Sequence, residues 1–344
     1  MKPFTSCVFV ALLSGVLATP AGPAAVAKWE SFKAKHGKQH SVHEEPARMQ
    51  RFLERSAEID AHNARYEAGL ESFSMKPSQY ADLTPEEFAR SALGFVAAVN
   101  ASDIPLSEEP MMPSIPSKFD WRDQGIMTPV VSQGYCGSCY AFAGAAALEA
   151  YLKWKTGQTH DLSEQDVVDC SYKKFLGNNH NGGCQGGWPT AVYEYYNQKG
   201  LVSEREYPYT SGSTKTHGPC RIPNAKNDRV RGSLKIKNVK PKNENEMAAL
   251  LVSKGPLVIA MAADNEYKRY FNDLGDGVFD MDHAINLGPN HAVVLVGYGN
   301  QKGKDYWVIK NSWGKEWAVG GYGKIARGKN MCNLTKFGVW YVEQ

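Results

Sequence analysis

The stretch that decides the fold runs Gln133-Gly134-Tyr135-Cys136-Gly137-Ser138-Cys139-Tyr140-Ala141-Phe142. Its first half is loop-like, and its second half opens an Ala-rich segment, residues 139–155, that predicts a helix ended by Gly157. Cys139 therefore lies in the first turn of a helix, where the positive end of the helix dipole favours a thiolate. Because the thiolate is the form that attacks carbonyl carbons, Cys139 is a candidate nucleophile.

The spacing of Cys136 and Cys139 leaves two other interpretations open. Two cysteines separated by two residues also occur in redox pairs and as half of a zinc site, and the spacing alone does not choose among these. A redox pair needs a thioredoxin-like βαβ setting and a zinc site needs two further ligands, and the sequence suggests neither. We therefore expect a nucleophile at Cys139 and no metal.

A thiolate nucleophile requires a histidine base and a group that orients the histidine ring. Two histidines compete, and His291 is favoured over His283 because it opens a β-type run that ends in glycine. Asn311, in the string Lys-Asn-Ser-Trp-Gly, has a side-chain amide that can accept the imidazole N–H and fix the tautomer. Taken alone, His291 fits a buried ring and Asn311 fits a turn. Their order after Cys139 is what favours catalysis.

This order resembles that of the papain-like cysteine proteases. The string around Cys139 fits the papain and cathepsin pattern, with Tyr140 in place of the usual Trp, and His291 follows about 150 residues later, near that family's spacing. The resemblance covers the chain from about Ile115 to the C-terminus. It implies an α+β fold of two lobes, one helical and one β-barrel-like, with Cys139 and His291 facing each other across the cleft.

The helix and strand patterns of the chain agree with two lobes. Ser163, with Asp166 three residues on, resembles a capping box that opens a second short helix through residue 168. After Val230 the pattern changes, and we predict strands at residues 257–260, 292–296, 306–309 and 322–325. A helical half followed by a β-rich half suggests two lobes with a cleft between them.

The resemblance also implies catalytic roles in the cleft. It makes Gln133 the side-chain donor of the oxyanion hole, with the backbone N–H of Cys139 as the second donor. It places Trp313 as a shield of the His291 and Asn311 pair against water. Each donor to the developing oxyanion is worth about 3 kcal/mol in such sites.

The resemblance implies two substrate-binding regions. A glycine pair followed by Trp and Pro looks like a backbone rail for an extended substrate, since missing side chains let its main chain approach: Gly186, Gly187, Trp188 and Pro189. Phe337 is placed at the floor of the pocket for the second residue before the cut, with Ala260, Ala292 and Pro189 among its walls. No acidic side chain lies among these residues, so we expect a shallow pocket that prefers an apolar residue.

The chain has seven cysteines, and Cys7 lies in an N-terminal segment that is predicted to be a removable signal peptide. Six cysteines remain in the mature protein, and spacing cannot choose among their connectivities. The resemblance implies two disulfides, Cys136 to Cys184 and Cys170 to Cys220. The family often has a third bridge, but no cysteine lies between Arg221 and Met331. Cys332 is therefore expected to be a free thiol.

The N-terminal third has a different organisation. Residues 1–18 have the pattern of a secretory signal peptide, with Lys2, a short apolar run and small residues before a cut after Ala18. Residues 100–116 are rich in proline and have little periodicity, as in an exposed linker that a protease can cut. We therefore predict a signal peptide at 1–18, a propeptide at 19–114 and a mature domain at 115–344.

The propeptide resembles the inhibitory propeptides of cathepsin L-like enzymes. Its patterns predict one charged amphipathic helix over residues 29–66, a strand at 73–75 and a helix that begins at Thr84. The family's spacing is kept by these residues: Glu44, Arg48, Phe52, Ile59, Asn63, Met75, Tyr80 and Asp82. Three positions depart from the family pattern, since Arg55 and Ser78 stand where Asn is usual and Lys76 where Gly is usual. The propeptide is expected to lie backwards in the cleft as an intramolecular inhibitor.

The resemblance implies a cysteine endopeptidase that hydrolyses protein and peptide substrates through a thioester, without a cofactor, after the propeptide is removed. Three rivals from other classes remain at this stage. A catalytically dead binding protein would need the loss of Cys139, His291 or Gln133, and all three are present. The others are an inhibitor that acts through its propeptide region and a secreted thiol oxidoreductase that uses Cys136 and Cys139.

The charge balance argues against a nucleic-acid partner, and the signal-peptide pattern indicates the secretory pathway. The 39 Lys and Arg against 36 Asp and Glu give a net charge of only +3 and no basic stripe, so no nucleic-acid partner is expected. We expect no membrane anchor, a monomer, and a secreted or lysosomal or endosomal protein. Asn100 and Asn333 begin glycosylation sequons.

Overall fold

The computed structural model describes residues 22–95, 105–106, 108, 114–172, 181–221, 229–263, 268–281 and 288–344. The signal peptide, most of the predicted linker with Asn100, and His283 lie outside these residues. The helices are α1 Pro23–His36, α2 Glu45–Glu67, α3 Pro85–Ala92, α4 Cys139–Thr156, α5 Glu164–Cys170, α6 Pro189–Lys199, α7 Ser211–Thr214, α8 Glu244–Lys254 and α9 Lys268–Asn272. The strands are β1 Phe73–Met75, β2 Phe119–Asp120, β3 Lys235–Val239, β4 Leu257–Met261, β5 Leu274–Phe279, β6 His291–Gln301, β7 Lys304–Lys310, β8 Tyr322–Ala326 and β9 Val339–Glu343.

The propeptide begins with two helices, so the prediction of one helix over residues 29–66 was wrong. Gly37 adopts a left-handed conformation with φ of 59° and ends α1, since few other residues take that conformation without strain. The chain turns back, and Phe32 of α1 stacks on Phe52 of α2 with ring centroids 4.3 Å apart. Together with buried Trp29 and Ala81, these rings form a small core that belongs to the propeptide.

The rest of the propeptide follows the predicted order. Strand β1 forms at the predicted residues and pairs antiparallel with β5, which joins the propeptide to the sheet of the mature region. Helix α3 begins after Thr84, whose side chain accepts from the Glu87 N–H while the Glu87 carboxylate accepts from the Thr84 N–H. This reciprocal capping satisfies two N–H groups at the start of the helix and fixes where α3 begins.

Helix α4 is the central element of the helical lobe. It begins at Cys139 and ends before Gly157, which has φ of 74°, as the sequence predicts. Small residues on α4 let other helices pack closely against it. A Cβ added to Gly144 would lie 2.6 Å from the side chain of Val192 in α6, which is too close for two carbon atoms. Helix α5 begins at the predicted cap, where Ser163 accepts from the Asp166 N–H, and runs two residues beyond the predicted end.

The second lobe is built on one sheet with the strand order β1-β5-β8-β7-β6-β4-β9-β3, and β2 pairs with β6. Side chains along a strand alternate between faces. On one face of β4 and β6, Ile259 and Val293 pack in a cluster with Leu250 of α8, and on the other Val258 and Val294 pack with α4 and α6. Burial on both faces explains the continuous apolar runs, and the predicted two-lobed α+β architecture is confirmed.

Two disulfides lie in the helical lobe, Cys136 to Cys184 and Cys170 to Cys220. Because Cys136 is held in a bridge, it cannot form a redox pair with Cys139. Cys139 and Cys332 are buried free thiols. No helix of the described residues is long and apolar enough to cross a membrane.

Candidate active site

Cys139 lies where the two lobes meet. It is the first residue of α4, and its thiol sulfur accepts a hydrogen bond of 3.4 Å from the backbone N–H of Ala292, the second residue of β6. The helical lobe thus supplies the thiol, and the neighbouring strand begins with His291. The loop-to-helix position that made Cys139 a candidate is the position it occupies.

His291 is held by Asn311. The ring Nε2 lies 2.8 Å from Asn311 Oδ1, which also accepts the backbone N–H of Ser312 at 2.8 Å. Because an oxygen only accepts, Nε2 carries the proton and Nδ1 of the neutral ring has a free lone pair. Among the described residues, the buried Nδ1 has no hydrogen-bond partner. Trp313 stacks on the ring with centroids 4.6 Å apart, which keeps water from the pair.

Gln133 is fully buried and its side-chain amide has a fixed orientation. The Ser312 hydroxyl donates to Gln133 Oε1 at 2.6 Å, so the Nε2 group must point the other way. There it donates to the carbonyl of Ala92 at 3.1 Å and to the carbonyl of Cys136 at 2.9 Å. Sequence reasoning missed Ser312, although its position directly after Asn311 was a usable signal.

The segment at the end of α3, residues 92–95, lies in the cleft. The Gly187 N–H donates to the carbonyl of Gly94 at 2.9 Å, and the Phe95 N–H donates to the carbonyl of Asn290 at 3.0 Å. The segment therefore bonds to both walls, and Phe95 bridges Gly187 in the parallel sense. A Cβ on Gly94 would lie 1.8 Å from the carbonyl oxygen of Gly137, so the fit depends on a residue without a side chain.

The two glycines of the predicted rail are required by their surroundings. Gly186 has φ of 104°, a conformation that glycine adopts without strain. A Cβ on Gly187 would lie 2.3 Å from Asn181 Oδ1, which accepts the Trp188 N–H at 3.0 Å. The missing side chain leaves the Gly187 N–H open to the main chain that lies in the cleft.

The ring of Phe95 packs in the buried cluster that contains most of the predicted pocket residues. The ring of Phe95 lies 4.9 Å from that of Trp188 and 5.7 Å from that of Trp340. The other predicted pocket residues belong to the same buried cluster or border it: Ala260, Ala292 and Phe337 lie in it, and Pro189 is buried at the start of α6. Trp340 was missed, because nothing in its local sequence sets it apart from a core residue.

Burial makes the Cys139 and His291 pair neutral. With the propeptide in place, burial raises the pKa of the Cys139 thiol to about 12, although N–H groups that include those of Ala292 and Gly94 act in the other direction. Burial lowers the pKa of His291 to about 4, against the hydrogen bond to Asn311. A thiol and a neutral imidazole are the unreactive forms of such a pair, so burial under this propeptide segment opposes nucleophilic attack by Cys139.

The glycosylation sequon at Asn333 lies on a half-buried turn. Asn333 has φ of 56° in a short 3₁₀ helix, Met331–Asn333. The hydroxyl of Thr335, the third residue of the sequon, donates to Asn330 Oδ1 at 3.0 Å. The occupancy of this sequon stays a prediction.

Two family profiles match this chain. Residues 115–341 match the papain family cysteine proteases, and residues 29–88 match the cathepsin propeptide inhibitor domain. The chain therefore belongs to the papain family of cysteine proteases. It is a hydrolase that carries its own inhibitory propeptide, and the predicted family, fold class and protease function are confirmed.

Relatives and solved structures agree with this assignment over most of the chain. Cathepsin J of Mus musculus is 36% identical over 315 residues, and procathepsin L of the same organism is 34% identical over 318 residues, with 90% of both chains covered in each case. The structure of digestive procathepsin L2 proteinase from the Tenebrio molitor larval midgut superposes with a TM-score of 0.79 at 32% identity. It covers 93% of this chain and 100% of that chain.

Proposed function

We propose that Cys139 is the nucleophile of a cysteine endopeptidase, that His291 is its acid and base, and that Asn311 orients the imidazole. The observation that carries the proposal is the free lone pair of His291 Nδ1, fixed by the Asn311 bond on the neighbouring nitrogen. This nitrogen can take the thiol proton and form a thiolate and imidazolium pair once water re-enters the cleft. The start of α4 stabilises the thiolate through its dipole.

In the proposed reaction the thiolate adds to the scissile carbonyl carbon, and the carbonyl oxygen becomes an oxyanion. Gln133 Nε2 and the Cys139 N–H stabilise this oxyanion. The tetrahedral species collapses as the C–N bond breaks, and the imidazolium gives its proton to the departing amine. Water, deprotonated by His291, then adds to the thioester and releases the acid and the thiol.

The pocket that holds Phe95 is the proposed pocket for the second residue before the cut. Phe95 is 5% exposed, its ring lies beside those of Trp188 and Trp340, and the small residues Ala260 and Ala292 belong to the same buried cluster. A bound propeptide Phe supports an apolar preference at this position. It also favours a pocket that admits an aromatic ring, which is deeper than the Phe337 assignment implied.

We infer that the precursor follows the secretory route to a lysosome or out of the cell and is activated by a cut before about Ile115. The signal pattern at residues 1–18, the two disulfides and the cathepsin relatives support this route. The start of the protease profile at residue 115 and the packing of Ile115 on the main core support the boundary. A monomer without nucleic-acid partner remains part of the proposal.

A Cys139→Ala precursor tests the catalytic assignment. It should fold and be secreted but show no peptidase activity, no self-processing and no labelling by an epoxide thiol-protease inhibitor. Cys332→Ala is the matched control, because Cys332 is also a buried free thiol and its pKa is likewise raised to about 12 by burial. After acid treatment, label on Cys139 in the control is expected. Full activity of Cys139→Ala would refute the assignment.

A further inference from the structure

The three positions at which the propeptide departs from the family pattern all contact the mature region. Arg55 Nε donates to Asp273 Oδ2 at 2.5 Å. Ser78 donates through its hydroxyl to Asn272 Oδ1 at 3.0 Å. Lys76 donates through Nζ to the carbonyl of Ala318 at 2.6 Å. The departures therefore cluster on one face, against residues 272–273 and 318.

Asp273 is the centre of this contact. Its side chain is fully buried, and that of Arg55 is 9% exposed. The second carboxylate oxygen of Asp273 accepts the backbone N–H of Ser78 at 2.8 Å, and its carbonyl accepts the Lys76 N–H at 2.8 Å. Both carboxylate oxygens of Asp273 are thus paired with groups of the propeptide. Arg55 and Asp273 are 218 residues apart in the sequence.

We propose that Arg55 and Asp273 form a selectivity pair, through which the released propeptide recognises mature papain-type domains that carry a carboxylate at position 273, such as a second copy of this chain. The proposal rests on the proposed role of the propeptide as a detachable inhibitor. It adds the chemistry of the partner: a buried carboxylate is required, and a neutral residue at this position is rejected.

The physical reason is the cost of an unpaired buried charge. When the propeptide docks, Arg55 and Asp273 both lose water. Arg55 is the charged partner of Asp273, whose other oxygen accepts the Ser78 N–H, and Arg55 also donates from Nη1 to Glu58 of its own helix at 2.8 Å. A domain with a neutral residue at 273 would leave the buried guanidinium paired only with Glu58, which is 44% exposed and screened by water, and this weakens binding by about 100-fold. Lys76 donates to a backbone carbonyl, which any side chain at 318 leaves in place, so this contact discriminates little.

A double-mutant cycle in the full chain tests the pair. The precursor carries Cys139→Ala to prevent self-cleavage, and the recognition sequence of a site-specific protease is inserted after Ala101. After the cut, the bound fraction of the propeptide is measured against dilution at neutral pH by size-exclusion chromatography. The variants are Arg55→Met, Asp273→Asn and both together. Lys28→Met is the control, because Lys28 pairs with Asp60 inside the propeptide and both are exposed.

Each single variant should bind about 100-fold more weakly, and the double variant should recover to within about tenfold of the wild type, since neither charge is then buried alone. Lys28→Met should bind as the wild type does. Single losses below about threefold, or losses that simply add in the double variant, would overturn the proposal.

Two outcomes of the dilution measurement separate this proposal from the proposed inhibitor role of the propeptide. A wild-type propeptide that leaves as soon as the chain is cut would overturn the inhibitor role and the pair together, whereas a tight complex that ignores Arg55→Met would overturn the pair alone. If Asp273→Asn does not fold, Arg55→Lys against Arg55→Met carries the test. The retained charge should keep binding within about tenfold of the wild type, and equal losses would refute the proposal.

Discussion

Replacing Gly94 with Ala should open the precursor at neutral pH. The added Cβ would lie 1.8 Å from the carbonyl oxygen of Gly137 and 2.2 Å from its carbonyl carbon. Both are backbone atoms next to the disulfide at Cys136, so they cannot rotate away as a flexible side chain would. The propeptide segment around Gly94 must move out of the cleft instead.

The size of the effect follows from the contacts that this movement breaks. Two backbone hydrogen bonds to the cleft walls, at Gly187 and Asn290, are worth about 1 kcal/mol each. The burial of the Phe95 ring adds about 2 kcal/mol. Loss of half to all of these contacts amounts to about 2 to 4 kcal/mol, so the open fraction should rise about 30- to 1,000-fold.

The rate of Cys139 labelling by an epoxide inhibitor at pH 7 measures this open fraction, because the closed site excludes the reagent. Gly22→Ala is the matched control. Gly22 is also in the propeptide, has an extended conformation with φ of −63°, and has no atom within 4 Å of an added Cβ. A Gly94→Ala rate within about threefold of the control would refute this account of the closed cleft.

Three other predictions follow from the geometry of the site. Ser312→Ala should lower kcat/KM about tenfold, because Gln133 loses the hydrogen bond that orients its amide. Rates of peptide hydrolysis check this, and Gln133→Ala should show a larger loss in the same assay. The pKa of His291 is lowered in the closed precursor, so docking of the propeptide is favoured above about pH 6.5 and weakens by up to about 3 kcal/mol as the pH falls towards 4. A pH titration of the Cys139→Ala precursor, followed by tryptophan fluorescence, should show this opening, and His291→Gln should remove part of it. A titration curve that His291→Gln leaves unchanged would contradict the prediction. Cleavage of a peptide library should show a preference for apolar residues at the second position before the cut, and Phe337→Ala should admit bulkier residues there. A preference of the wild-type enzyme for Arg at this position would contradict the assignment of an apolar pocket.

Much of the fold was predictable where a local pattern and the tertiary environment agree. Helix α4 combines a run of small helix-forming residues with a glycine stop, and the predicted strands within β4, β6, β7 and β8 are apolar because they are buried. The prediction of one propeptide helix was wrong because Gly37 ends α1 inside a continuous charged pattern. Strands β5 and β9 went unpredicted, since the glycines of Leu274–Phe279 weaken its pattern and Val339–Glu343 is defined by pairing with β3 and β4.

The site was predictable to the extent that its chemistry is written in order along the chain. The sequence predicted Cys139, His291 and Asn311 together because each proposed role demands its residue type, and the structure brings the three side chains to one place. Ser312 and Trp340 were not, because orienting an amide or lining a pocket can be done by many residues in many places. The Arg55 contact with Asp273 joins residues 218 apart, and no local signal encodes such a pairing.

The closed cleft also suggests why the propeptide is not hydrolysed by the site it fills. In the proposed reaction, the Cys139 sulfur must face a carbonyl carbon whose oxygen lies at Gln133. Here the Gly94 N–H is directed at the sulfur, and the carbonyl at Gln133 belongs to Ala92, two residues earlier. Gln133 and the Cys139 sulfur therefore contact different peptide units. With the thiol and the imidazole both neutral, the geometry and the charge state of the pair oppose attack until the propeptide leaves.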